Sequence, residues 1–246
     1  MLERGVDTPI ASCSEYQAQS EVVIETQIGF VSKTLNSTHV DPELFQFNIE
    51  YPSVTFPDRD VESEINSLMA GFVCNEKFQA YGILWERENE RIKKGEHFYG
   101  SPYSLNICFD LANFQRTILS VKFAIRSYTG GAYTNGSYRT FNFILGNPPL
   151  LLKPYMIGIG DLVSIEELFK LSAEYIEEQH EVNSDSLDFD RGIEHFEHFN
   201  LLENGLAVAF DEHTLAGKWL GAPSIVIPFS RIKPIRDRLN ELQLSF

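Results

Sequence analysis

The amino-acid sequence predicts an α+β fold made of two packed subdomains, each an antiparallel sheet with one main helix. Three observations predict it: the segments run strands, helix, strands, helix, strands; strict β-α-β alternation does not occur; and short turns join neighbouring strand segments. The run Gly146-Asn147-Pro148-Pro149 is the best internal boundary. We therefore expect a disordered lead-in at residues 1–19, an N-terminal subdomain at residues 20–145 and a C-terminal subdomain at residues 146–246.

The N-terminal subdomain is expected to hold one long helix between strands. Its β-branched or alternating apolar segments predict strands at residues 22–31, 45–51, 103–111, 117–128 and 138–145. From Asp58 to about Lys94, apolar residues recur at helical spacing, which predicts a helix. Asp58 or Asp60 could cap its start, and Gly95 could end it. The mixed charges of residues 85–94 indicate a solvated helical face.

The C-terminal subdomain repeats the pattern on a smaller scale. Residues 164–176 have helical periodicity, and Ser164 with Glu167 three residues later fits a capping box. The remaining segments are strands at residues 206–210 and 224–229, a final helix from Arg231 to Leu244, and an acidic loop or decorated short helix at residues 177–198.

The charge balance narrows the class of partner. The chain has 20 Lys and Arg against 35 Asp and Glu, a formal net charge of −15. Nucleic acids and anionic membrane surfaces are recognised mainly by basic surfaces, so neither is expected as a partner. An acidic surface instead attracts basic proteins or peptides.

The first residues offer one membrane-related feature. No apolar run is long enough for a membrane span, and the N-terminus lacks the apolar centre of a secretory signal. Residues 10–13, Ile-Ala-Ser-Cys, nevertheless look like the end of a bacterial lipoprotein signal, in which Cys13 would carry the lipid. We therefore expect membrane contact only through such an anchor. The alternative is an ordinary cysteine in a flexible tail.

Three cysteines are too few for a disulfide framework and lack the spacing of a zinc site. Cys74 and Cys108 could pair in an exported protein, or both could be buried free thiols. The cysteines leave the compartment open.

Histidines supply the one candidate set for catalysis. His195 and His198 are three residues apart, and His213 with Asp211 could complete a metal site or a hydrolase centre. The spacing is not that of a metalloprotease, so histidines on a polar surface are the favoured interpretation. Residues 185–192 loosely resemble a calcium loop but lack its final Glu, which favours a solvated acidic loop. We expect no catalytic residue, no metal and no cofactor.

A glycine-rich turn is the preferred candidate for binding. Residues 130–136 lack the Lys-Ser/Thr ending of a phosphate-binding loop and fall between strands. The glycines are expected to allow unusual backbone angles or close approach of the chain. Exposed tyrosines are good contact groups. We therefore predict a partner-binding edge whose residues are Tyr128, Gly130, Gly131, Tyr133 and Tyr138.

The same turn carries a family resemblance. Residues 128–133, Tyr-Thr-Gly-Gly-Ala-Tyr, followed by Phe141-Asn142-Phe143, resemble the tyrosine, Gly-Gly-Ala-His and Asn-Phe-Asp signature of an exported bacterial domain pair. That pair is found in RsiV-type anti-sigma factors that sense lysozyme and beside the catalytic domain of PdaC-type peptidoglycan deacetylases. Two departures stand out: Tyr133 replaces the usual His, and the Asp after Phe143 is missing.

Three further segments agree with the resemblance, which covers roughly residues 45–235. Residues 50–52 with Ile65-Asn66 resemble the opening of the family, and residues 161–169 resemble the element before its second helix. Residues 204–229 resemble its closing strands. The resemblance implies an α+β fold and a non-catalytic binding module outside the cytoplasm, periplasmic or at the cell surface.

The resulting functional hypothesis is a binding module for a protein or peptidoglycan-related partner, with no assigned oligomeric state. The alternative is a metal-dependent or His-based hydrolase of the cell envelope that uses the histidine set.

Overall fold

The structure, a computed structural model, describes residues 29–37, 44–97, 101–115, 117–130, 132–180, 187, 192–212, 214–215, 220–242 and 244. Its strands are β1 (Gly29–Ser37), β2 (Phe45–Thr55), β3 (Tyr103–Gln115), β4 (Ile118–Tyr128), β5 (Asn135–Ile144), β6 (Leu150–Leu151), β7 (Phe199–Leu201), β8 (Gly205–Ala209) and β9 (Ser224–Pro228). Its α-helices are α1 (Arg59–Lys94), α2 (Ile165–His180) and α3 (Lys233–Glu241). The predicted α+β class is confirmed. Cys13, Gly131, His213 and most of residues 185–192 lie outside the described residues.

The chain divides into two compact units that alternate along the sequence. The N-terminal unit contains residues 17–109 and 123–136, and the C-terminal unit contains residues 110–122 and 137–246. Strands β3 and β4 therefore contribute to both units, whereas the sequence places a single boundary at residue 146.

The strands form two sheets. One has six strands in the order β1-β2-β3-β4-β5-β6, and the other has three in the order β7-β8-β9. The pairs β1/β2, β5/β6, β7/β8 and β8/β9 are antiparallel, although β6 and β7 are strands that the sequence analysis does not predict. The β2/β3 pair is parallel, and here the expected antiparallel sheet is wrong. The reason is α1, a crossover long enough to return the chain to the starting end of β2.

In the N-terminal unit, α1 begins and ends where the sequence predicts. The Asp58 side chain accepts hydrogen bonds from the backbone N–H groups of Asp60 and Val61, at 2.9 and 3.3 Å. Gly95 ends the helix in the left-handed region, at φ 68°. One face of the helix is buried at helical spacing, for example at Ile65 and Met69.

Asn66, a residue of the family resemblance, ties α1 to β2. Its side-chain amide donates to the Val54 carbonyl at 2.7 Å, and its side-chain oxygen accepts from the Val54 N–H at 2.8 Å. The neighbouring Glu62 carboxylate accepts from the Phe56 N–H at 3.0 Å, and this hydrogen bond lowers the pKa of Glu62. The start of α1 is thereby attached to the end of β2.

The C-terminal unit has its own core under the three-stranded sheet. The Ser164 hydroxyl caps α2 by accepting from the Glu167 N–H at 3.1 Å, as the predicted capping box requires. The buried face of α2 contributes Leu168 and Phe169 to the core. Phe169 packs edge-on against Phe196, with ring centroids 4.9 Å apart. The predicted final helix is confirmed over residues 233–241.

Cys74 and Cys108 are free thiols rather than a pair. Cys74 is exposed on α1, so the expectation that both thiols are buried is wrong for it, while Cys108 is buried in β3. Among the described residues, no helix combines the length and apolar character needed to cross a membrane.

Candidate functional site

The predicted binding turn follows β4 in the N-terminal unit. Gly130 has a φ of 84°, which L side chains rarely adopt, and a Cβ placed there would lie 2.7 Å from Cε1 of Tyr103. Glycine is therefore required at this position on two counts. Tyr133 is 65% exposed. Tyr128 is half-buried.

An open pocket of about 340 Å³ lies beside this turn. The turn contributes Tyr128 and Gly130 to its wall, and the last turns of α1 contribute Arg87 and Lys94. The Arg87 guanidinium donates a hydrogen bond to the Thr129 carbonyl, which attaches the turn to the helix. Two residues of the predicted binding edge thus line a concave surface.

Charge in this pocket is mixed. The Arg91 guanidinium donates two hydrogen bonds to the buried Glu88 carboxylate, which lowers the pKa of Glu88. Arg91 also donates to the Glu96 carbonyl. Three cations, Arg87, Arg91 and Lys94, line the pocket together with the carboxylates of Glu90 and Glu96. The pocket therefore does not share the strongly acidic balance of the whole chain.

Tyr138 is not an exposed contact group, and this part of the predicted binding edge is corrected. It is 5% exposed, its hydroxyl donates to the Ala222 carbonyl at 3.0 Å, and its N–H donates to Asp211 Oδ1 at 2.7 Å. At the start of β5, over residues 135–139, burial alternates between neighbouring residues, and Tyr138 falls on the same buried face as Gly136. Tyr138 therefore holds the C-terminal unit together from inside.

Asn142, the asparagine of the family signature, is likewise structural. It is 1% exposed, and its Oδ1 accepts from the Ser120 hydroxyl at 2.6 Å and from the Leu201 N–H at 3.2 Å. Its Nδ2 donates to the Phe199 carbonyl at 2.8 Å. Asn200 Nδ2 donates to the Ser120 hydroxyl at 2.9 Å. This buried network joins β4 and β5 to β7.

The histidine set is only partly brought together. His198 Nε2 lies 2.7 Å from Arg139 Nη1 and 3.8 Å from Asp211 Oδ2. Because a guanidinium can only donate, Nε2 must accept, so His198 is neutral in this geometry. The pKa of His198 is lowered overall. Burial is the largest cause; the charge of Arg139 lowers the pKa as well, and the charge of Asp211 raises it.

His195 does not join this cluster. Its ring packs edge-on against Phe169, with ring centroids 5.7 Å apart, and its buried Nε2 has no hydrogen-bond partner among the described residues. Within the part of the chain that the structure describes, no group of three or more His, Cys, Asp or Glu side chains could hold a metal ion. His198 and Asp211 instead line an open cleft of about 370 Å³, together with Arg139.

One exposed feature of α1 is missed by the sequence interpretation. Phe78, Trp85 and Ile92 are 79%, 62% and 61% exposed. They recur every seven residues, so they share one face of the helix. The charges around Trp85 suggest a solvated face, and the seven-residue spacing of large apolar side chains is the signal that could have revealed the apolar stripe.

Comparisons with known proteins give a likeness of fold. No protein-family model matches the chain, and no curated protein matches it. A solved protein from Bacteroides fragilis, described as a member of the DUF3298 family, has a TM-score of 0.59 and 18% identity, over 84% of this chain and 92% of its own. A DUF3298 family protein from Pseudomonas aeruginosa has a TM-score of 0.50 and 12% identity, over 82% and 92%. This chain therefore shares the fold of solved proteins described as DUF3298 family members.

Proposed function

We propose that this protein is a non-catalytic binding module that recognises a protein or cell-wall partner outside the cytoplasm. The partner contacts the turn after β4. The observation that carries the proposal is the placement of Tyr128 and Gly130 in the wall of an open pocket, with Tyr133 65% exposed three residues after Gly130. An exposed tyrosine offers a large contact area and a hydroxyl, and it loses little conformational entropy on binding because its side chain has only two rotatable angles.

The apolar stripe on α1 supports a macromolecular partner. Phe78, Trp85 and Ile92 belong to the same unit as the turn. Large exposed apolar side chains rimmed by charged ones are typical of protein interfaces. The net charge of −15 belongs to the whole chain and speeds its encounter with a basic partner at low salt, while the pocket beside the turn has a mixed lining.

The proposed extracytoplasmic location rests on the resemblance to the RsiV-type and PdaC-type region. We propose that the protein is periplasmic or at the cell surface, and that a lipid on Cys13 anchors it to the membrane. Fractionation of cells that produce the protein from its native gene tests this part. A lipid anchor predicts that Cys13→Ser moves the protein from the membrane fraction to the soluble fraction, and an unchanged distribution would refute the anchor.

The contact surface is tested by photo-crosslinking in the native host. A photoreactive phenylalanine analogue replaces Tyr133 in one variant and Tyr155 in a matched control, because Tyr155 is 68% exposed but belongs to the C-terminal unit. We expect one discrete adduct from position 133 that position 155 does not give. Equal adducts from both positions, or none from position 133, would refute the proposed surface.

Affinity measurements then test the role of the side chain. With the crosslinked partner purified, Tyr133→Ala should weaken binding by about 5- to 30-fold, the effect of a moderate hot-spot residue. If the partner is the cell wall, co-sedimentation with purified peptidoglycan compares the wild type with Tyr133→Ala in the same way. An unchanged affinity of Tyr133→Ala would contradict the assignment.

A second candidate function is a hydrolase, because His198 and Asp211 lie together in a cleft. A His-based hydrolase of the cell envelope predicts that the purified chain releases products from peptidoglycan or a peptide. It also predicts that His198→Gln abolishes this release while the protein stays folded. That result would overturn the non-catalytic proposal.

A further inference from the structure

All residues that line the cleft containing His198 belong to the C-terminal unit. The proposed binding turn belongs to the N-terminal unit, so the cleft and the turn share no residue. Its charged and titratable lining consists of Arg139 from β5, Lys153 after β6, Glu197 and His198 before β7, and Asp211 after β8. A volume of about 370 Å³ falls in the usual range for small-ligand sites.

Arg139 is held in place through one of its terminal nitrogens. Nη1 donates to the Tyr138 carbonyl and to His198 Nε2, each at 2.7 Å. It also lies 3.6 Å from Asp211 Oδ2. These contacts use both hydrogens of Nη1.

The other edge of this guanidinium is available. Among the described residues, Nε and Nη2 of Arg139 have no hydrogen-bond acceptor, and the side chain is 42% exposed. Nε–H and Nη2–H form the parallel pair of donors that matches the two oxygens of a carboxylate. A guanidinium fixed at Nη1 with this edge open is preorganised for such a ligand.

The charges of the cleft favour a singly charged anion. Because His198 is neutral in this geometry, the charged lining consists of two cations, Arg139 and Lys153, and two carboxylates, Glu197 and Asp211. The lining therefore has no net charge. Asp211 is already engaged, because its Oδ1 accepts from the Tyr138 N–H at 2.7 Å. A phosphate dianion would meet the repulsion of both carboxylates, whereas a carboxylate carries half that charge.

Apolar walls complete the cleft. Phe141, Leu151 and Pro154 line it beside the polar groups. A charged fork next to an apolar wall suits a carboxylate attached to an apolar group, as at the C-terminal end of a peptide. We propose that this cleft binds such a carboxylate through the free edge of Arg139, assisted by Lys153.

The test compares two probes that differ in one group. N-acetyl-Ala-Ala with a free C-terminal carboxylate and the same peptide as its C-terminal amide are titrated into the full chain, with the side-chain N–H signals of arginine followed by NMR. We expect the acid to bind saturably and at least about 10-fold more tightly than the amide, because hydrogen bonds between two charged groups are stronger than those to a neutral amide. Equal binding of acid and amide, or no saturable shift with the acid, would overturn the proposal.

Variants assign the effect to the cleft. Arg139→Gln should weaken binding of the acid by about 10-fold or more, and Arg139→Lys should recover only part of it, because lysine keeps the charge but loses the fork. Lys153→Gln tests the same cleft at an exposed residue whose replacement does not disturb the fold, in case the Arg139 variants are destabilised. It should weaken binding of the acid by a smaller factor than Arg139→Gln. Arg236→Gln, on the exposed face of α3, is the matched control. A loss in Arg236→Gln as large as in Arg139→Gln would refute the site.

Discussion

Replacing Asn142 by alanine removes the centre of the buried polar network in the C-terminal unit. The change deletes the hydrogen bonds to the Ser120 hydroxyl, the Phe199 carbonyl and the Leu201 N–H. The Leu201 N–H keeps a second acceptor, the Ser120 hydroxyl at 3.2 Å, so two groups lose a buried partner. At about 1–3 kcal/mol for each buried polar group left unsatisfied, we expect a loss of about 2–6 kcal/mol in the free energy of unfolding.

Urea unfolding followed by circular dichroism measures this loss as a shift of the midpoint. The matched control is Asn106→Ala, which removes an exposed side-chain hydrogen bond with Asn48, at 2.9 Å, and should cost less than about 1 kcal/mol. If Asn142→Ala is no more costly than Asn106→Ala, the network does not hold the unit together. The signature asparagine would then have to be explained by function instead.

Three further predictions follow from local geometry. Gly95→Ala should cost about 1 kcal/mol, because Gly95 has a φ of 68° but open space around it. Gly130→Ala should cost more, because Tyr103 must also move, and thermal unfolding compares the two. Asp58→Ala should destabilise α1 by about 1 kcal/mol through the lost cap, measurable by urea unfolding. The pKa of His198 is lowered by burial, so the unfolded chain binds its proton first as the pH falls below about 6.5, and stability should decrease there. His198→Gln should lose less stability than the wild type between pH 7.5 and pH 5.5.

Each of these predictions has a result that would contradict it. Equal costs at Gly95 and Gly130 would show that Tyr103 yields without penalty. A cap substitution as costly as a core substitution would mean that the Asp58 side chain has a role beyond the two cap hydrogen bonds to Asp60 and Val61. An identical pH dependence of stability in the wild type and in His198→Gln would show that folding does not change the pKa of His198, against its burial and its contact with Arg139.

The sequence predicts the elements that depend on neighbouring residues. The start of α1 at Asp58, its end at Gly95 and the cap of α2 at Ser164 rest on residues within one turn of the helix, so local pattern suffices. The parallel pairing of β2 with β3 depends on where a 36-residue helix returns the chain. Nothing in the periodicity of either strand carries that information.

The same difference in range separates the residues of the glycine-tyrosine signature. The local break in the strand pattern predicts a surface turn at Tyr128 and Gly130, and these residues line a pocket there. Tyr138 is equivalent to them in the sequence pattern, yet its hydroxyl donates to Ala222, 84 residues later. Asn142 likewise donates to Phe199, 57 residues later. The alternation of β5 could have placed Tyr138 on the buried face, but only the return of the chain from β8 to β9 supplies its acceptor. A shared motif can therefore reflect folding requirements at some of its positions and surface chemistry at others, which the Asn142→Ala and Tyr133→Ala variants separate by stability and by affinity.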